Sequence, residues 1–234
     1  MYQSFLIGGS YYIVILITLV ITIIAQVNVQ GTFAKYSRVY AGRGLSGAEV
    51  ASGILASQGI SNVRVGHVQG SMTDHYDPGH KLVNLSDTVY GQTSISAVAV
   101  AAHECGHAVQ DAYGYGPLTI RTAIVPMVNF SSQISWFLIV AGLFINSSTG
   151  SLLLRIGIVL FSAAVAFQLI TLPVEFNASS RALKILAGNG MLSQEEMKGA
   201  KKVLRAAALT YVAAAATSVI QLIRLIFIAR NRED

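Results

Sequence analysis

The chain has 234 residues, of which 53% are hydrophobic and only 12% charged. Soluble domains carry about 25% charged residues, so half of the usual charge is missing, and a mean hydropathy of +0.57 agrees. This composition excludes a disordered chain, a collagen-like repeat and a disulfide scaffold, and it argues against an ordinary soluble enzyme. The net charge of +5 reads as membrane topology rather than nucleic-acid binding. The single cysteine, Cys105, cannot form an internal disulfide and suits a reducing compartment.

No charged residue precedes Lys35, and the run 6–25 is long and apolar enough for a first span. A cleavable signal peptide is the competing reading. It lacks a basic start and a small-residue cleavage site after Ala25, so a retained span is expected. Residues 26–121 are more polar. Ser46 and Glu49 form a capping-box pattern opening a helix that stops at Gly59. The β-branched runs 60–68 and 81–85 are expected to pair as a hairpin across a long Gly, Asp and Pro turn. An uncharged stretch from Thr122 to Leu154 is broken by the polar cluster 146–151, which predicts antiparallel spans at 124–145 and 152–172. A second polar segment, 174–205, contains a capping-box pattern at Ser193 and Glu196. The last apolar run, 206–229, is interrupted only by Arg224 and is read as a fourth span.

The two polar segments carry twelve of the sixteen Lys and Arg residues, which places both in the cytoplasm by the positive-inside rule. Two spans separate them, so they share a side in either orientation. Arg230 and Arg232 would fall on the opposite side, against the rule. The expectation is one integral membrane domain over 1–234, mainly α, with about four transmembrane helices and a cytoplasmic α+β catalytic region.

The chemistry resides in Ala101-Ala102-His103-Glu104-Cys105-Gly106-His107-Ala108-Val109-Gln110. Each helical residue advances about 100°, so His103 and His107 stand on one face, one turn apart. Two imidazoles so placed can share one zinc ion, with Glu104 beside them to take a proton from a water. Ser94 to Ser96 opens this helix and Gly114 to Pro117 closes it. Cys105 points to the opposite face and is expected to be a buried small hydrophobe. A short motif can match by chance, but an alanine-rich helix has no other reason to hold three ionisable groups.

A catalytic zinc takes three protein ligands and leaves one position open. Glu175 is the best third candidate. It is the only carboxylate between Asp111 and Glu195, on the required side of the membrane, just after Pro173. Pro173 is expected to redirect the chain there. Ser179 lies one helical turn on and could hydrogen-bond a ligand. His67, His75 and His80 remain rivals for the third position.

Taken together, Thr73-Asp74-His75-Tyr76-Asp77-Pro78, Leu85-Ser86, Val89-Tyr90, the His103–Gln110 stretch and Leu172-Pro173-Val174-Glu175-Phe176-Asn177-Ala178-Ser179-Ser180-Arg181-Ala182-Leu183 resemble the bacterial YugP-like neutral zinc metallopeptidases. The resemblance runs from about Gly44 to the end of the fourth span. More distantly the chain is similar to the HtpX and CAAX prenyl protease group. The resemblance implies a zincin-like fold, His103, His107 and Glu175 as ligands of one Zn2+ per chain, and Glu104 as general base. Serine stands at position 179 where the distant group has aspartate. A carboxylate orienting a zinc histidine would then have to come from elsewhere, such as Asp74 or Asp77.

The expected activity is a membrane zinc endopeptidase acting on peptides or membrane proteins within the bilayer. An extended substrate would add to the hairpin edge, with His75, Tyr76 and Arg181 as candidate transition-state donors. Nucleic acid is not an expected partner, and the sequence identifies no regulatory partner or oligomer. Two rivals stand beside this reading. One is a non-catalytic scaffold with a structural zinc. The other is a small transporter, suggested by Asn129, Ser131, Ser132 and Gln133, although these also suit a helix-packing face.

Overall fold

The computed structural model describes residues 2–232, with side chains from Tyr12 onward. The element order is α1 Tyr2–Tyr36, α2 Gly47–Ser57, β1 Arg64–Val68, β2 His75–Asp77, β3 Leu82–Ser86, α3 Ile95–Ala112, α4 Gly116–Phe144, α5 Ser148–Gly188 and α6 Gln194–Arg230. Four helices are long and apolar enough to cross a membrane: α1 over its described stretch Tyr12–Tyr36, then α4, α5 and α6. The side chains of residues 6–11, at the start of the expected first span, lie outside those described. All four helices outrun the apolar runs that mark them, because helical hydrogen bonding does not stop where hydropathy falls. In particular, α5 continues as one helix through Pro173 to Gly188, past the expected end of the apolar span at residue 172. A proline removes one donor, and the remaining backbone bonds carry the helix past it.

The chain divides into two compact units. The first comprises Met1–Ala25, Ile120–Leu172 and Thr210–Asp234. Its interior is a cluster of Ile139, Leu154, Phe161, Val165 and Leu225. Glycine permits the close helix contact there: a Cβ on Gly142 would lie 2.6 Å from the Leu154 backbone nitrogen, and one on Gly157 2.7 Å from Ile139. Small residues at helix contacts are how membrane bundles gain packing, since lipid offers apolar groups no hydrophobic penalty to escape. Large apolar side chains face outward instead, among them Phe137 and Phe144 at 78% and 85% exposure. Of the polar cluster in α4, only Ser131 is buried, Ser132 is half-buried, and Asn129 and Gln133 are exposed, so only part of it packs inward.

The second unit comprises Gln26–Thr119 and Pro173–Leu209. Here α3 packs on α2 and on the sheet around a core that includes Val50, Ile54, Val83, Leu85, Val98 and Leu186. Ser46 caps α2 through a reciprocal capping box with Glu49, and Ser94 accepts from the Ala97 amide to start α3. Ser193 and Glu196 exchange the same pair of contacts ahead of α6.

The sheet corrects the expected hairpin. Runs 60–68 and 81–85 do become neighbouring strands, but β1 and β3 pair in parallel, from Arg64 with Leu82 to Val68 with Ser86. The true hairpin joins β2 to β3 in antiparallel register, giving the order β1-β3-β2. Its turn is fixed by the Asp77 carboxylate, which accepts from the amides of Gly79 and His80. Between β1 and β2 the chain reverses at Gly70 and Met72, both at positive φ, with the Gly70 amide held by Asp87. Three residues reading His-Tyr-Asp carry no alternating apolar pattern, so β2 leaves no strand signal.

Candidate metal centre

The spacing on α3 stacks His103 and His107 with ring centroids 4.8 Å apart, at 83° to each other. Glu175 reaches them from α5. Its Oε2 lies 3.1 Å from His103 Nε2 and 3.6 Å from His107 Nε2, and the residue is 2% exposed. One ligand atom from each of the three falls within 4.8 Å of the others.

Gly106, between the two histidines, explains how α5 comes so near. A Cβ at this position would stand 2.5 Å from the Ala178 carbonyl oxygen and 3.0 Å from its carbon. Ala178 itself is fully buried. A glycine facing an alanine lets the two backbones meet, and that contact brings Glu175 within reach of the histidine face.

The outer nitrogens of both rings have partners. Ser179 Oγ lies 3.1 Å from His103 Nδ1, as its spacing from Glu175 suggested. Gln110, which the sequence reading passed over, places Oε1 3.0 Å from His107 Nδ1. Its amide nitrogen donates to the Val174 carbonyl at 2.8 Å and to Asn177 Oδ1 at 3.0 Å. The available signal was a glutamine three residues after His107 in an otherwise apolar helix. Such a residue lies over the same face and must find partners when buried.

Glu104 is 8% exposed. Burial foremost raises its carboxyl to about 7. His103 opposes the rise, Glu175 and Asp74 add to it, and His75 opposes it again. A carboxyl poised near neutrality suits proton transfer at physiological pH. Cys105 faces away. Its Sγ lies 3.6 Å from the Ala51 carbonyl, and burial holds the thiol far above its usual range, so it is an inert core residue.

The other candidates scatter. Asp74 accepts from the amide and hydroxyl of Ser86 at 2.7 and 2.9 Å, so it anchors the sheet and touches neither histidine of α3. Asp77 serves its own turn and pairs with His80 at 2.7 Å. Tyr76 donates to Asp111 at 2.5 Å, and burial together with that contact lifts its phenol well above the usual range. Arg181 donates to Asn177 at 2.7 Å and lies 5.9 Å from the Tyr115 ring centroid. Among the rival histidines, His67 pairs with Asp87 at 2.7 Å. His75 lies between the Thr73 carbonyl and Asn84. Neither these nor His80 joins the cluster on α3 and α5.

The donor set suits zinc. Two imidazole nitrogens and one carboxylate oxygen converge, both histidines are held from behind, and three ligands leave a tetrahedral ion one open position.

No solved structure matches the chain. A Bacillus subtilis (strain 168) protein described as "Putative membrane protease YugP" is 50% identical over 210 residues, which cover 90% of this chain and 92% of that one. The sequence pattern of a family described as "Putative neutral zinc metallopeptidase" matches residues 11–230, and the chain belongs to that family.

Proposed function

We propose that this chain is a multi-pass membrane endopeptidase using one zinc ion per chain, held by His103, His107 and Glu175, with Glu104 as general base. The observation that carries the reading is the convergence of three ligand atoms beside a buried carboxyl whose pKa lies near 7. A structural zinc would be closed by a fourth protein ligand; among the described residues, the cluster offers three.

A zinc ion there supplies Lewis-acid polarisation of the scissile carbonyl and acidification of a water. The protein's own groups do the rest. Glu104 takes a proton from the attacking water and returns it to the leaving amine. Glu175, which lies against both histidines, fixes the third corner of the site. The outer edge of β2 is unpaired, because β3 lies at the centre of the sheet. An extended peptide added there would run beside His75, whose charge is felt at Glu104, and backbone pairing would set its register without demanding sequence. Of the candidate transition-state donors, Tyr76 is engaged by Asp111, Arg181 by Asn177, and His75 by the Thr73 carbonyl and Asn84, so a donor role for any of them requires one of these contacts to be exchanged for substrate.

The polar segments 26–121 and 174–205 form the cytoplasmic part of a single membrane metallopeptidase domain in this reading, and the substrate is a peptide or a membrane protein. The test is Glu104→Gln in zinc-loaded protein reconstituted into liposomes, with peptide hydrolysis and zinc content measured on one sample. Turnover should fall by about 10²–10⁴-fold, the usual worth of a general base, while zinc stays bound. Unchanged turnover would remove Glu104 from this role.

A further inference from the structure

A metal-binding imidazole must present a lone pair, and which nitrogen carries the proton is set by what the other nitrogen touches. In this fold the answer for His107 comes from Gln110, three residues on, and from the α5 groups that Gln110 touches. Arg181 has only donors, so its 2.7 Å contact from Nε requires the Asn177 amide oxygen to face it. The same Asn177 oxygen, together with the Val174 carbonyl, faces the Gln110 side chain at 3.0 and 2.8 Å. Both are acceptors, so the Gln110 NH2 must point at them, and both of its protons are used. Its Oε1 is thereby aimed at His107 Nδ1, 3.0 Å away. An amide oxygen only accepts, so Nδ1 carries a proton, and in the neutral ring the lone pair then falls on Nε2, the nitrogen that faces Glu175. Gln110 is completely buried, and no water is needed to complete its bonding.

His103 differs. Its Nδ1 meets the Ser179 hydroxyl, which can donate or accept, so that contact fixes neither tautomer.

We propose that Arg181, Asn177 and Gln110 are positioning residues forming a relay that locks His107 in the Nδ1-protonated tautomer, pre-setting Nε2 as a metal ligand before any ion arrives. The relay rests on the zinc reading for its purpose, but the tautomer itself can be observed without metal.

The experiment is 15N NMR of histidine-labelled, metal-free full-length protein in detergent, together with zinc titration against a chelator. In its neutral form His107 should carry its proton on Nδ1 and none on Nε2. Gln110→Leu and Asn177→Leu should each yield a mixture of tautomers, and Gln110→Leu should weaken zinc about 10–100-fold, the usual effect of removing a histidine's outer partner. Ser179→Ala should leave the His107 signals unchanged. A neutral His107 with its proton on Nε2 in the unaltered protein overturns the proposal, as does a Gln110→Leu protein with the original tautomer. A locked tautomer in a protein that binds no zinc would uphold the relay while removing the zinc site.

Discussion

Gly106→Ala tests the helix contact that brings Glu175 beside His103 and His107, the candidate metal ligands. The added methyl carbon would lie 2.5 Å from the Ala178 carbonyl oxygen, whereas ordinary contact begins near 3.4 Å, so α3 and α5 must part by about 0.9 Å along that line. The obstructing atoms belong to a helix backbone and cannot swing aside. Overpacking of this kind costs about 1–3 kcal/mol. The effect on the site is sharper, because metal–ligand lengths tolerate only about 0.2 Å and Glu175 rides on the displaced helix. Zinc affinity should therefore fall at least about 10-fold, the lower end of what losing an outer-shell partner alone costs. Gly53→Ala is the matched control: its Cβ meets only the flexible end of Met191, at 3.1 Å, and alanine gains about 0.8–1 kcal/mol of helix propensity. Chelator competition and thermal unfolding should be run on both variants. If Gly106→Ala binds zinc like the unaltered protein, the helix contact does not hold the site together.

Other outcomes follow from the same geometry. Burial raises the Glu104 carboxyl from 4.5 to about 7, so in metal-free protein it binds its proton more tightly when folded. Stability should therefore be unaffected by Glu104 below about pH 4.5 and should decline as pH rises toward 7. Glu104→Gln should accordingly match the unaltered protein at pH 4 and exceed it by about 3 kcal/mol at pH 8, from about 1.36 kcal/mol per pKa unit; equal stability at both pH values would contradict the buried carboxyl. His67→Ala and His80→Ala should leave zinc affinity unchanged, since each histidine pairs with an aspartate of its own; a large loss in either would bring it into the ligand set. Cysteines placed at the exposed positions Ser61 and Ser193 should both resist an impermeant label in intact cells, while buried Cys105 stays silent. External labelling of one alone would break the span count, and labelling of both would reverse the orientation.

What could be read from the sequence followed from periodicity and scarcity. Long apolar runs show the four membrane helices, and the spacing of His103 and His107 shows a shared face. Glu175 stands out because so few carboxylates exist in the second half of the chain. The contacts that shape the site are of another kind. Gly106 matters only because Ala178 faces it from 72 residues later in the chain, and a glycine inside a motif does not announce its partner. Gln110 looks like an ordinary polar residue until Val174 and Asn177 are seen beside it. The parallel pairing of β1 with β3 was hidden for the same reason: which strands pair is decided by the crossover through β2, a strand too short and too polar to register. Pro173 marks the end of the apolar run but not the end of the helix, because the backbone bonds on either side of it carry α5 on to Gly188.

The central claim is that one ion joins His103 and His107 on α3 to Glu175 on α5. Zinc titration against a chelator, comparing Glu175→Ala with Glu195→Ala, addresses it directly. Glu195 belongs to the same polar segment but is 81% exposed in its side chain and pairs only with Lys198. Loss of Glu175 removes one of three anchors and should weaken zinc steeply, while loss of Glu195 should leave it unchanged. Equal affinities for the two variants would contradict the claim and move the third ligand elsewhere.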